Sequence, residues 1–233
     1  TEAGGGQSCW DWIALNRWSG DAGEDSQGFF IYLRDVEDGR LWSAGLQPAL
    51  ARPDQYSVSS SGREVAIERL DHGIRSTMTE SIDGTDDLEM RRVVLTNESS
   101  RVRRIEMISS IEVALAHPAG DLGHPAFSKL FVQTEWLAEC GALVAKRRPR
   151  AQGERWPAMF HAMTGAAPAA WETDRLRFIG RGRSLVRPAF VMQGTAGNVL
   201  DPMFCLATAV ELAAGETREI GFLLGAVRDH QRV

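Results

Sequence analysis

The sequence predicts an all-β protein, a two-sheet antiparallel β-sandwich with hardly any helix. Three observations carry that expectation. Short apolar runs recur along the 233 residues, each bounded by Gly, Asp, Asn or Ser. No window carries the 3.6-residue apolar period of a long amphipathic helix. The run Phe29–Leu33 is apolar at five consecutive positions, so both faces of that strand need cover, as they would inside a sandwich.

Taken in order, the first 27 residues set Trp10, Trp12 and Trp18 among Asp11, Arg17, Asp21, Glu24 and Asp25. They read as a strand followed by a charged loop. Aromatic rings stack on the apolar faces of sugars, and fixed polar groups hydrogen-bond their hydroxyls. Trp10, Trp12, Arg17 and Trp18 are therefore candidate sugar-contacting residues. Tryptophans are mostly buried wherever they occur, so filling a core edge remains open as the other reading.

Two apolar runs then flank Asp38-Gly39. Both residues tolerate positive φ, which a two-residue hairpin turn requires. Strands are expected at Tyr56–Val58, Val65–Ile67, Ile74–Ile82, Arg91–Thr96 and Val102–Ala114. Turns fall at Ser61-Gly62, His72-Gly73, Asp83-Gly84 and Asn97–Arg101. Residues 116–136 break this rhythm with His117-Pro118 and His124-Pro125. Proline biases the residue before it toward extended backbone. The segment reads as a long stiffened loop entering a strand near Leu130–Trp136, and loops of that length are usually functional. Residues 146–157 form a basic, proline-containing stretch read as a solvated loop, with a phosphate or acidic partner as the weaker reading. Gly180-Arg-Gly-Arg-Ser184 reads as a turn that needs glycine, with anion binding as the weaker reading. Phe204–Leu212 and Ile220–Val227 are expected to pair as a terminal hairpin. Ile31, Leu33, Trp42, Val94, Ile105, Ile111, Leu206 and Phe222 are the expected core.

Composition narrows the function. A net charge of −5 gives no global field for nucleic acid or anionic lipid, and the basic stretch lacks the interleaved aromatics of a single-strand binder. No apolar run is long enough to cross a bilayer. Cys9, Cys140 and Cys205 are odd in number and far apart, which points to a reducing compartment and not to a disulfide framework. No cysteine pair has metal-ligand spacing, the histidines are scattered, and no cofactor motif is present, so neither metal nor cofactor is expected. Gly-x-Ser-x-Gly and His-Glu-x-x-His are missing, and spacing selects no glycosidase carboxylate pair. A mutarotase-like enzyme would need a histidine and a carboxylate facing across a cleft, which spacing alone does not reveal. The residues by themselves support an all-β domain with sugar binding as its candidate role, and an autonomous carbohydrate-binding module is one form of it.

Several segments resemble one family: Ala3-Gly-Gly-Gly6, Arg17-Trp18, Phe30–Asp35, Trp42–Gly45, Arg92–Asn97, His124–Phe131, Glu172–Arg175 and Phe178–Arg183. In number and order they resemble the supersandwich domain of glycoside hydrolase family 94, which holds the cellobiose and chitobiose phosphorylases and the phosphorylase region of cyclic β-1,2-glucan synthases. The likeness leans toward the glucan synthases. It implies that residues 1–233 form one β-sandwich domain excised from a longer protein, with a first sandwich strand before Thr1. It also implies a following (α/α)₆ barrel carrying the catalytic acid and the phosphate site, so no catalytic residue is assigned to this chain. The implied partners are a β-linked glucan or oligosaccharide, that catalytic domain of the same protein, and a second copy in a homo-oligomer. The implied location is cytoplasmic, with the parent anchored in the inner membrane. In the phosphorylases the loop matching His117–Ser128 reaches the partner's active-site mouth and touches the acceptor sugar. They carry Gln-Arg near this point, where this chain has His124-Pro125. His124 is therefore the candidate hydrogen-bonding residue, or else only a cap for the turn into Phe127–Phe131.

Overall fold

The computed structural model describes residues 1–21 and 23–228. Fifteen strands and three short helices follow one another among them. The first run is β1 (Cys9–Trp10), β2 (Ile13–Asn16), β3 (Phe29–Asp35), β4 (Leu41–Ser43), β5 (Gln55–Ser60), β6 (Glu64–Asp71), β7 (Ile74–Asp83), β8 (Leu88–Asn97) and β9 (Arg103–Ala116). Helices α1 (Pro118–Gly123) and α2 (Pro125–Lys129) precede β10 (Val132–Leu137), β11 (Ala142–Arg147), β12 (Ala158–Thr164) and β13 (Ala170–Asp174). Helix α3 (Arg175–Ile179), β14 (Pro202–Leu212) and β15 (Thr217–Val227) complete the order.

Two antiparallel sheets face each other. One runs β1-β2-β9-β14-β13, with β3 also paired to β9 and to β4. The other runs β10-β11-β12-β15-β8-β7-β6-β5. Strand β9 organises the first sheet. Its Ile105–Ile111 stretch pairs with β3, and its end, Val113 and Ala116, pairs with β2 along the same edge. Strand β3 is covered on both faces, as its sequence demands. Phe29, Ile31 and Leu33 enter the core between the sheets. Tyr32 points the other way, into a second cluster with Ile108, Phe178, Met203 and Cys205 that α3 and Phe190 cover. Burial in that cluster pushes the Tyr32 hydroxyl's pKa well above its ordinary value. The same hydroxyl donates to the Leu185 carbonyl at 2.6 Å.

Seven of the eight expected core residues are buried. Val94 is the exception, because β8 places Val93 and Leu95 inward and turns Val94 to the outer face. In a strand, alternation decides the face, and Val93-Val94 left that choice ambiguous.

Three local expectations change. The β3–β4 turn is a four-residue loop, closed by Asp35 N–H to Arg40 O at 3.0 Å, with only Gly39 at positive φ. The two-residue turn appears instead at His72-Gly73, where both φ are positive (52° and 81°). Strands β14 and β15 form no hairpin, since they lie in opposite sheets. Asn97 stitches that corner: its backbone N–H reaches Glu216 O at 3.0 Å, and its buried Nδ2 donates to Leu212 O at 2.9 Å. The expected long loop contains α1 and α2, each with proline in its first turn. His117 and His124 do adopt non-helical backbone, but as the N-caps of those helices, where a following proline is tolerated.

One buried histidine bridges the sheets. His161 of β12 is fully enclosed. Its Nδ1–H donates to Leu223 O at 2.7 Å, and its Nε2 accepts from Ser109 Oγ at 2.7 Å. The ring lies parallel to Phe204 and Phe222. Burial pulls its pKa down to about 4.

Candidate functional site at the helical end

The first sheet ends in a plate of charge. Arg17, just after β2, grips Asp121 of α1 with two bonds, Nε to Oδ2 at 2.8 Å and Nη2 to Oδ1 at 2.9 Å. Arg175 at the start of α3 donates to Glu112 of β9 at 2.6 Å. Lys129 of α2 meets Asp201 at 2.5 Å. Three cations and three carboxylates thus join β9, the helical loop, α3 and the residue before β14, with no net charge. The side chains of Arg17, Asp121 and Glu112 are about nine-tenths buried. Bidentate pairs of that kind fix geometry as well as adding energy. One donor is left over: Arg17 Nη1 has no hydrogen-bond acceptor and sits 3.9 Å from Glu112 and 3.8 Å from Asp201.

A second clamp holds α2. Arg147 of β11 donates through Nη1 to Ser128 O at 3.1 Å, and its guanidinium lies over the rings of Trp156 and Phe131. Arg147 is buried, not solvated as the basic stretch suggested. Apolar surroundings lower its pKa, while the aromatic faces supply part of what water would.

Beside the plate is a cleft of ≈ 370 Å³ lined by Arg17, Trp18, Asp121, Leu122, Pro118 and Pro125, among others. Trp18 is half-buried along it, and Leu122 is exposed at its lip. His124 stands exposed at the joint of the two helices, and its side chain makes no capping hydrogen bond. The structure therefore brings Arg17 and Trp18 to the loop that carries His124.

Trp10 and Trp12 are not part of that cleft. Trp12 projects from the β1–β2 turn, 82% exposed, and its carbonyl accepts from His117 Nδ1 at 3.3 Å. Trp10 lines a different hollow. The four aromatic and basic candidates thus form no single flat platform. Among the described residues, no histidine lies within 4.0 Å of a carboxylate, and His161 is sealed in the core.

Sequence reasoning missed Glu112, Asp121, Lys129, Arg175 and Asp201. One signal was present: Glu112 interrupts the apolar run Ile111–Ala116, and a carboxylate inside a buried strand needs a partner. That partner, Arg175, is 63 residues away, beyond any local pattern.

The model of the family described as "Glycosyl hydrolase 94, supersandwich domain" matches residues 1–233. The chain belongs to the glycosyl hydrolase 94 supersandwich family. It is 34% identical, over its whole length, to a cyclic β-(1,2)-glucan synthase of Rhizobium meliloti, of which it spans 8%. It is 28% identical over 73% of its length to the solabiose phosphorylase of Paenibacillus borealis, covering 22% of that protein. An N,N'-diacetylchitobiose phosphorylase of Vibrio proteolyticus is 24% identical over 86% of the chain, which covers 25% of it. The chain thus corresponds to a quarter or less of these three relatives. Among solved structures, a bacterial glucoamylase complexed with acarbose superposes with a TM-score of 0.53 over 94% of the chain and 28% of its own, at 8% identity. That level of likeness speaks to fold alone. No helix among the described residues is long and apolar enough to cross a membrane.

Proposed function

We propose that this supersandwich domain forms a non-catalytic, sugar-facing wall in an enzyme of the cyclic β-1,2-glucan synthase or glycoside phosphorylase type. The observation that carries the reading is the Trp18 cleft beneath a helical loop that six charged side chains hold in place. The half-buried Trp18 ring and the exposed imidazole of His124 are the groups that a β-linked glucan would meet. Rigid loops of this build contact ligands at low entropic cost. Residues 1–233 act as one domain, and the chemistry belongs to an (α/α)₆ barrel in the same protein. The loop serves the acceptor end of the glucan at the mouth of that barrel, across a homo-oligomer contact. The parent is anchored in the inner membrane with this domain on the cytosolic side.

Two measurements test this. The purified chain alone neither phosphorolyses β-linked glucans nor transfers glucose from glucose-1-phosphate, and sustained phosphate-dependent turnover would overturn the assignment. In the complete enzyme, Trp18→Ala raises the acceptor KM with little change in donor KM. An unchanged acceptor KM removes Trp18 from the sugar path.

A further inference from the structure

The hollow at Trp10 has its own architecture. Residues 7–11 lie across the ends of β7, β8 and β15 and leave a groove of ≈ 330 Å³. A second hollow of ≈ 310 Å³ shares Ser8, Ile82 and Glu89 with this groove, Ser8 Oγ donating to Glu89 between them, and reaches Glu64 and Val65 of β6. Strands β15, β8, β7 and β6 are consecutive neighbours in their sheet. At about 4.8 Å per strand the trough is roughly 15 Å long.

Its lining is set for an uncharged ligand. The Trp10 indole donates Nε1–H to Asp87 at 2.8 Å. The Arg228 guanidinium covers one face of the ring, 4.9 Å from its centroid, and pairs with Asp11 at 3.4 Å. Edge and one face are thus held and the ring also packs against the core, so it is oriented before any ligand arrives. Arg91 is likewise engaged by Glu80 and Glu89. Asp83 and Asp87 pair with no cation among the described residues, which disfavours an anion. Ile82, 77% exposed, adds an apolar ledge between the two hollows.

We propose that this groove is a second carbohydrate-holding site, distinct from the Trp18 cleft. It takes a linear, neutral β-linked oligosaccharide over Trp10 and Ile82, whose hydroxyls donate to Asp83 and Asp87. Aromatic faces supply the apolar contact and carboxylates the strong acceptors. The site needs no residue from another domain and stands whether or not the Trp18 cleft meets an acceptor.

The test titrates the chain with short linear β-1,2-gluco-oligosaccharides and follows the indole N–H resonances by NMR. The expected result is a saturable shift of the Trp10 resonance. Trp10→Ala weakens binding at least about tenfold, a loss on the scale of one aromatic contact, and Trp18→Ala leaves this binding unchanged. Asp87→Ala frees the indole while keeping the ring, and weakens binding severalfold even if Trp10→Ala fails to fold. Binding that is indifferent to both variants overturns the proposal, as does the lack of any saturable shift. Displacement of the oligosaccharide by inorganic phosphate marks an anion site and also overturns it.

Discussion

His161 and His124 are the same residue in opposite settings. His161 is sealed between the sheets, with a partner on each ring nitrogen and aromatic rings on both faces. His124 is exposed at a helix joint, its side chain giving no bond to the cap it occupies. The first has every valence used for the fold; the second has valences left over. That difference separates a ring that holds the fold from one whose groups are left over, and it extends to the neighbours. Asn97 and Ser109 are likewise spent on corners and sheet contacts.

The contrast breaks first at the core. His161→Ala opens a cavity and removes the ring's bonds to Ser109 and the Leu223 carbonyl, at a cost of about 3–5 kcal/mol. Chemical denaturation measures it, and a loss below about 1 kcal/mol would remove the histidine from the stabilising set.

Acid sharpens the same contrast. The His161 pKa lies at about 4 in the folded chain, against about 6.5 when unfolded. The unfolded state therefore takes up the proton first as pH falls. This contribution to stability is complete above pH 6.5 and is lost between about 6.5 and 4, on the order of 3 kcal/mol in all. Stability measured against pH checks the sign, and a His161→Phe variant loses that segment of the curve.

Arg17→Gln comes next. It removes the bidentate hold on Asp121 and leaves a nearly buried carboxylate short of donors, costing about 2–3 kcal/mol. Amide exchange localises the effect. Protection falls in α1 and α2 while β7 and β8 stay protected, and a uniform fall across both sheets contradicts the assignment of Arg17 to the loop.

Much of this was legible in the sequence, for physical reasons that also mark where legibility ended. The doubly apolar Phe29–Leu33 run required cover on both faces and has it. His72-Gly73 and the Gly180 turn obeyed local φ preferences. The pairing of β14 and β15 was misread because Ala213–Glu216 is a good turn whichever sheet follows, and the choice is made by Asn97, more than a hundred residues earlier. Helices α1 and α2, of six and five residues, are too short to register an apolar period. The candidate site was half visible. Arg17, Trp18 and His124 do converge on one loop, but the ion pairs that hold it join residues far apart in sequence, and Trp10 parts company with Trp18 for reasons no spacing records.

The central claim is that His124 serves a ligand and not the fold, and one paired measurement reaches it most directly. His124→Ala is made in the complete enzyme that contains this domain, and acceptor KM and thermal stability are read from the same preparation. The account predicts a severalfold rise in acceptor KM with stability changed by less than about 0.5 kcal/mol, the ordinary range for an exposed substitution. An unchanged KM with a lowered melting temperature contradicts it, and makes His124 a structural residue of the loop.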